Sequence, residues 1–239
     1  MALIRSKDRK VTNAVSPNGK TPTIANTFGL PAGKAFSCPG ATSVCETICY
    51  AGKLEKVFKG VRENLLKNWE QLKDANQPAM TLLLGEMISE FVAECEKRNA
   101  EKLFRIHWDG DFFSEEYAWA WRFVIEFNPT VQFWAYTRSD FAVPILYDLP
   151  NLSLYFSADA ANRDLAWQMK REYGVKLAYL AKDFATGKAD FNEKQTKSAI
   201  PCPENNRKLP MISTNGSACV ACSQCVFARN DILFSASKK

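Results

Sequence analysis

The 239-residue chain has no apolar run approaching the roughly 18 residues that a bilayer-spanning helix requires, which argues against a membrane partner. Its first ten residues, Met-Ala-Leu-Ile-Arg-Ser-Lys-Asp-Arg-Lys, carry no apolar stretch of the kind that directs secretion. No internal repeat is visible. There is a single histidine, so any imidazole chemistry falls on His107. A basic face is also missing from the body of the chain. The net charge of +5 is concentrated at the ends: Arg5, Lys7, Arg9, Lys10 and Lys20 against Asp8 give +4, and Lys238 and Lys239 give +2, which leaves the remainder near −1. Such a basic terminus allows weak contact with nucleic-acid phosphates, although a solvated terminus is the plainer reading. These absences point to a cytoplasmic protein in a reducing compartment, where clustered cysteines are metal ligands before they are disulfides.

Cysteine is what the chain has in quantity. Seven of its eight cysteines fall into two sets. Cys38, Cys45 and Cys49 have the spacing C-x6-C-x3-C. Cys219, Cys222 and Cys225 have C-x2-C-x2-C, with Cys202-Pro203 at a distance. Gathered soft thiolates hold soft metals or iron–sulfur clusters. Two-residue gaps let one loop wrap three thiolates around a cubane, with a remote Cys-Pro as fourth ligand. That favours a 4Fe-4S cluster over zinc, which more typically uses two separate C-x2-C pairs. The N-terminal set has no local fourth cysteine. Three thiolates leave one iron open to water, substrate or His107, or one distal cysteine closes a single shared cluster; the spacing is compatible with one cluster or two. Cys95, alone on an apolar helical stripe, reads as a buried core residue.

The composition, 46% hydrophobic and 24% charged, is that of a globular protein. Residues 21–28 suggest a first short strand entering the loop of Cys38. Apolar residues at three- and four-residue steps from Leu54 to Trp69 predict one helix, and Pro78 opens a second that runs to about Asn99. From residue 102 strands and helices alternate: strands at 103–107, 131–136, 152–156 and 175–180, and helices after Ser114 as N-cap, around 141–149, and over 163–173 with Gly174 as its stop. Alternation of this kind implies parallel βαβ units with right-handed crossovers. The fold class is α/β, a partial (β/α) barrel or a doubly wound sheet, with the barrel preferred. The expected organisation is a basic, flexible terminus over 1–20, the barrel over 21–182, and a cysteine-rich extension over 183–239 ordered by metal more than by a core.

In parallel α/β folds the chemistry gathers at the C-terminal ends of the strands. Those ends carry His107, Asp109, Gly110 and Asp111, then Tyr136, Arg138 and Asp140, then Asp159, then Lys182. His107, Asp109, Asp111, Arg138 and Asp159 are the candidate catalytic groups. Gly110, Tyr136 and Lys182 are candidate cofactor contacts. The seven clustered cysteines are the candidate metal ligands.

Cys-Pro-Gly-Ala…Cys45…Cys49-Tyr-Ala, Arg105-Ile-His-Trp-Asp-Gly-Asp-Phe112, Phe133-Trp-Ala-Tyr-Thr-Arg-Ser139 and the closing cysteine triplet resemble the phage-encoded gene product 88 family, over roughly residues 25–226. The resemblance implies a viral origin, hence the cytoplasm of an infected bacterium, and an iron–sulfur site, but no reaction. A weaker resemblance in layout is to radical S-adenosylmethionine enzymes. These also place three cysteines after the first strand of a partial barrel, though usually as C-x3-C-x2-C. It implies S-adenosylmethionine as a cofactor, with Gly110 near its amino group. The leading expectation is therefore an iron–sulfur protein with redox or radical chemistry at the strand-end rim, served by a host electron donor and acting on a small or macromolecular substrate. A non-catalytic electron carrier or regulator and a zinc-stabilised nucleic-acid-binding module are the alternatives.

Overall fold

A computed structural model describes residues 2–7, 10, 24–193, 199–213 and 216–237. Strand β1 (Thr27–Gly29) leads through the first cysteine loop into the short helices α1 (Ser43–Ile48) and α2 (Tyr50–Val57), then α3 (Lys59–Leu72) and α4 (Gln77–Lys97). Regular alternation follows: β2 (Leu103–Asp109), α5 (Glu115–Glu126), β3 (Gln132–Thr137), α6 (Ala142–Leu146), β4 (Leu152–Ala158), α7 (Arg163–Tyr173), β5 (Lys176–Ala181) and α8 (Phe184–Glu193). The last stretch adds β6 (Ile200–Pro201), an antiparallel pair β7 (Ile212–Ser213) and β8 (Gly216–Ser217), helix α9 (Ala218–Cys222) and β9 (Ile232–Ser235).

Seven strands make one parallel sheet in the order β1-β2-β3-β4-β5-β9-β6. From β1 to β5 the spatial order is the chain order, so the sheet winds one way around as a barrel does, instead of reversing as a doubly wound sheet does. β1 and β6 are its edges, and the sheet is open.

The helix ends are set by local chemistry. Ser114 Oγ accepts from Tyr117 N at 3.2 Å at the start of α5, and Glu115 and Glu116 stand in its first turn, where the positive helix end favours acid. Asn76 caps α4 in the same way, at 3.0 Å from Ala79 N. Gly174, at φ +71°, ends α7 as the left-handed residue that glycine adopts without penalty.

Along the strands alternate residues divide between two layers. Phe104, Ile106, Phe133, Ala135, Leu154, Phe156, Leu177 and Tyr179 face the helices and form the main core with Leu84, Phe91, Cys95, Trp121 and Trp167. Leu103, Trp134, Tyr155, Ala178 and Ile232 face the other way, where Val226 and three of the distal cysteines pack on them. β2 breaks this alternation once. Its register with β1 shifts between Thr27↔Arg105 and Gly29↔Asp109, and His107 within the bulge has φ +60°. Ile106 and His107 therefore both reach the helix side, and Asp109 is carried to the strand end.

Three expectations differ from this fold. The helix expected over Leu54–Trp69 is two, because Phe58 is extended (φ −114°, ψ 98°); no proline marks the break, although Gly60 beside it weakens helix propensity. The alternation does not fade after Lys182: α8 follows, and β9 inserts between β5 and β6, so the distal segment completes the sheet. Its strands were too short to show a period in the sequence. The N-terminus is held, not free, where described. Leu3 is buried, Ser6 pairs with Thr27, Arg5 bridges to Glu94 at 3.1 Å and Lys10 to Glu204 at 2.9 Å. Arg9, Lys20, Lys238, Lys239 and residues 21–23 of the expected first strand lie outside the described residues.

The segment of 217–232 is fastened to the sheet by side chains from two strands, β3 and β4. Tyr155 Oη donates to the carbonyls of Gln224 (3.1 Å) and Asn230 (2.9 Å), Ser153 Oγ to that of Val226 (2.7 Å), and Gln132 Nε2 to the same carbonyl (3.0 Å). Tyr155→Phe removes the first two bonds without a change of shape. It should lower unfolding stability by about 1–2 kcal/mol in urea titration.

Candidate functional site

The loop of Cys38, Cys45 and Cys49 folds over the C-terminal ends of β2, β3 and β4. It can lie close because Gly40 has no side chain: a Cβ there would sit 2.2 Å from the carbonyl oxygen of Arg138. Thr42 then caps α1, its Oγ1 accepting from Cys45 N at 3.0 Å and donating to Asp159 Oδ2 at 2.6 Å. That same Oδ2 is 2.9 Å from Arg138 Nη1, and Oδ1 accepts from Ala161 N. Cys49 forms the bend between α1 and α2, and its Sγ accepts from Gly52 N at 3.3 Å. Asp111 is held from three sides, by Phe112 N, Thr137 Oγ1 and Arg138 N, each at 2.7 Å. Asp109 lies against Glu55, which also accepts from Ala32 N.

The electrostatics of this rim are those of charge taken out of water. Burial raises Asp111 to about 6 in spite of its three donors. Burial raises Asp109 too, and the neighbouring Glu55 carboxyl adds to it. Burial also raises the thiols. For Cys38 the nearby Asp111 reinforces it, for Cys45 the Arg138 guanidinium opposes it, and for Cys49 the Gly52 N–H opposes it. A thiol kept neutral in this way becomes a ligand when a metal's charge replaces its proton.

The four distal cysteines lie elsewhere: Cys202, Cys219 and Cys225 pack on the sheet face opposite the helices, with Cys222 beside Cys225. Cys219, Cys222 and Cys225 come from α9 and the turn after it, where Ser223 is left-handed (φ +55°). Cys202 enters beside β9, its N–H bonded to Leu233 O at 2.8 Å. Cys202 and Cys222 are the thiols next to Cys225, and both Cys225 and Cys219 adjoin Tyr136. Burial raises Cys225 to about 12, against a hydrogen bond from Tyr136 that lowers it. All eight cysteines are free thiols. Among the described residues no group of three or more His, Cys, Asp or Glu side chains stands ready to hold a single metal ion.

Of the expected site residues, Asp109, Asp111, Arg138 and Asp159 are thus brought to the cysteines of the first loop. The others fall elsewhere. His107 is not on the rim: it is buried on the helix side among Phe28, Phe112, Tyr117 and Trp121, with Nε2 2.9 Å from Tyr117 Oη. The bulge in β2 turns it inward, away from the rim. Gly110 (φ +85°) packs close against the chain, where a Cβ would meet Ser37 Oγ at 2.5 Å and Leu30 Cβ at 2.8 Å. Tyr136 belongs to the distal cysteines. Lys182 is exposed, and what it contributes is its carbonyl, which accepts from Ser237 N. Thr42, Glu55 and Arg105 were missed as site residues. Thr42 was findable as an N-cap, and Arg105 as a charge inside an apolar strand; Glu55 meets Asp109 only through the fold.

The sequence profile of gene product 88 matches residues 1–230. The chain belongs to the gene product 88 family. The gene 88 protein of Mycobacterium phage L5 is 52% identical over 242 residues, covering 99% of this chain and 99% of its own. That of Mycobacterium phage D29 is 50% identical over 244 residues, covering 100% and 99%. The phage connection implied by the motifs therefore stands in these relatives. No solved structure matches. No described helix is long and apolar enough to cross a membrane.

His107 gives the chain an acid-sensitive point that one substitution can isolate. Burial, with Arg105 adding to it, lowers its pKa to about 3 in the folded protein, against roughly 6.5 when unfolded. The unfolded state takes the proton first, so this contribution is present above pH 6.5 and is lost as pH falls toward 3. Between pH 7 and pH 5 the wild type should lose about 2 kcal/mol through this group. His107→Phe should lack that component of the loss in paired urea titrations at the two pH values.

Proposed function

We propose that the protein is an iron–sulfur protein with two cluster sites, one held by Cys202, Cys219, Cys222 and Cys225 on the open face of the sheet, the other by Cys38, Cys45 and Cys49 at the rim. The observation that carries this is the meeting of the four distal cysteines around Cys225 and Tyr136, although Cys202 is 17 residues before Cys219 in sequence. Four soft donors fit a 4Fe-4S cluster. A cubane spreads its ligands over four irons, so its thiols need not converge on one point as the ligands of zinc do.

When bound, a cluster supplies one-electron chemistry at low potential. The chain's own residues divide the remaining tasks. Cys49 is presented by the bend between α1 and α2 and Cys45 by the first turn of α1, which Thr42, tied to Asp159, fixes. Arg138 sets a positive charge beside Cys45, which offsets the negative charge of thiolates. Asp109, pushed up by burial and by the neighbouring Glu55, lies beside Cys49.

Iron and sulfide counts on protein purified without oxygen test the reading. About four irons and four sulfides per cluster are expected, with brown colour. Cys222→Ala and Cys45→Ala should each lose about half of the iron. Unchanged iron in either variant refutes that site, and colourless protein with stoichiometric zinc refutes the whole reading.

A further inference from the structure

Helix α2 has an apolar stripe and turns it to solvent. Tyr50, Leu54 and Val57 recur at four- and three-residue steps, which puts them on one face, and Phe58 follows at the helix end. Their exposure is 50%, 36%, 70% and 53%. The side turned to the protein is small or polar: Ala51 is buried, and Glu55 accepts from Ala32 N at 2.8 Å. An amphipathic surface helix ordinarily does the reverse and buries its apolar stripe. Polar bonds hold α2 in this orientation. Glu55 fastens its inner side, Tyr50 Oη donates to Trp108 O at 3.0 Å, and Gly52 N donates to Cys49 Sγ at 3.3 Å. The surroundings are basic. Lys53 and Lys56 flank the stripe, and Lys59 and Arg62 continue past Phe58 into α3, all of them exposed. Over residues 50–63 the only exposed acid is Glu63, which bridges to Lys59 at 3.7 Å.

We propose that α2 and the turn at Phe58 form a ridge that docks on an anionic lipid surface, with Leu54, Val57 and Phe58 entering the headgroup–acyl boundary and Lys53, Lys56, Lys59 and Arg62 meeting lipid phosphates. The cations select an anionic partner, and the apolar stripe selects one that offers hydrocarbon beside its charge. Nucleic acid supplies the charge alone, and Leu54 and Val57 give its bases no ring to stack on. A folded partner or a second copy needs roughly 20 residues a side for a stable interface. This ridge offers four apolar side chains on and beside a helix of 8 residues. A fluid surface closes around so small a ridge without a matching groove. Such docking is contact from one side, to which the lack of a spanning helix does not speak. Because Tyr50 directly follows Cys49, it sets the first cysteine loop next to the lipid. It does not depend on what the cysteines hold.

Co-sedimentation of the full chain with lipid vesicles tests this. Vesicles of phosphatidylcholine mixed with phosphatidylglycerol should carry the protein down, and phosphatidylcholine alone should bind it at least about tenfold more weakly. Added salt should weaken the binding to the anionic vesicles. Val57→Asp, at the most exposed position of the stripe, should lower the partition coefficient about tenfold or more. Lys53→Gln with Lys56→Gln should lower it about tenfold on anionic vesicles and leave the neutral ones unaffected. Phe58→Trp adds a reporter in otherwise intact protein: the emission it adds over wild type should shift to the blue when anionic vesicles are supplied. A wild type that ignores anionic vesicles, or binds neutral ones equally, overturns the proposal. So does binding that Val57→Asp leaves unchanged, or an added tryptophan whose emission does not move. A wild-type dimer that Val57→Asp separates would give the ridge to a second copy, and overturns it as well.

Discussion

A parallel sheet has to be covered on both faces, because its central strands are apolar on both sides. Here the helices cover one face, and the other is closed by the cysteine-rich segment of residues 217–232. Every other feature of the molecule depends on that closure. Without it Trp134, Tyr155 and Ile232, all buried, would face water together with Arg105 and Tyr136. The segment is poor in large apolar groups and covers this face mainly through Val226, cysteines and backbone carbonyls. The carbonyls are satisfied by Tyr155 and Ser153 of β4 and Gln132 of β3. β9 then anchors its end between β5 and β6, where Asp231 accepts from Lys170 and from Leu177 N.

The rim is governed by the opposite condition, polar groups enclosed and made to satisfy one another. Asp111 accepts three bonds and ties β2 to β3; Asp159 accepts from Thr42 and Ala161, faces Arg138, and ties β4 to the first cysteine loop. Removing either carboxyl would leave donors unsatisfied in a buried place, which costs more than the bonds contribute when intact. The loop is therefore oriented by the strand ends before any ligand is considered. Pre-orientation of this kind limits the rearrangement that binding requires.

Much of this was legible in the sequence. Period-two and period-three-to-four patterns located β2 to β5, α4, α5 and α7, since those elements each have one face in the main core. Ser114 and Gly174 marked their helix ends by the chemistry that makes such residues caps. The grouping of Asp109, Asp111, Arg138 and Asp159 followed from their places after successive parallel strands. What was not legible depends on partners distant in sequence. β6 and β9 have two and four residues, too few for a period, and become strands only by pairing with β5 and each other. His107 stands at a strand end in sequence, and only the bulge against β1 turns it into the core.

The placement of the cysteines also bears on how the chain folds. The distal thiols stand over a completed sheet, and Cys202 reaches them from the β6 end while the other three arrive from α9. Their meeting thus requires β4, β5 and β9 to be in register first. A metal bound to the unfolded chain would find at best the local triplet Cys219, Cys222 and Cys225, with Cys202 supplied only by the native topology. In the proposed reading, the free energy of binding a fourth ligand would be gained only in the folded state, since ligand binding stabilises the state it selects. The first loop has a different dependence. Cys38, Cys45 and Cys49 lie within twelve residues, but their support comes from Asp111, Arg138 and Asp159, on strands later in the chain. The two sites accordingly draw on the same sheet from its two exposed aspects, its strand ends and its open face.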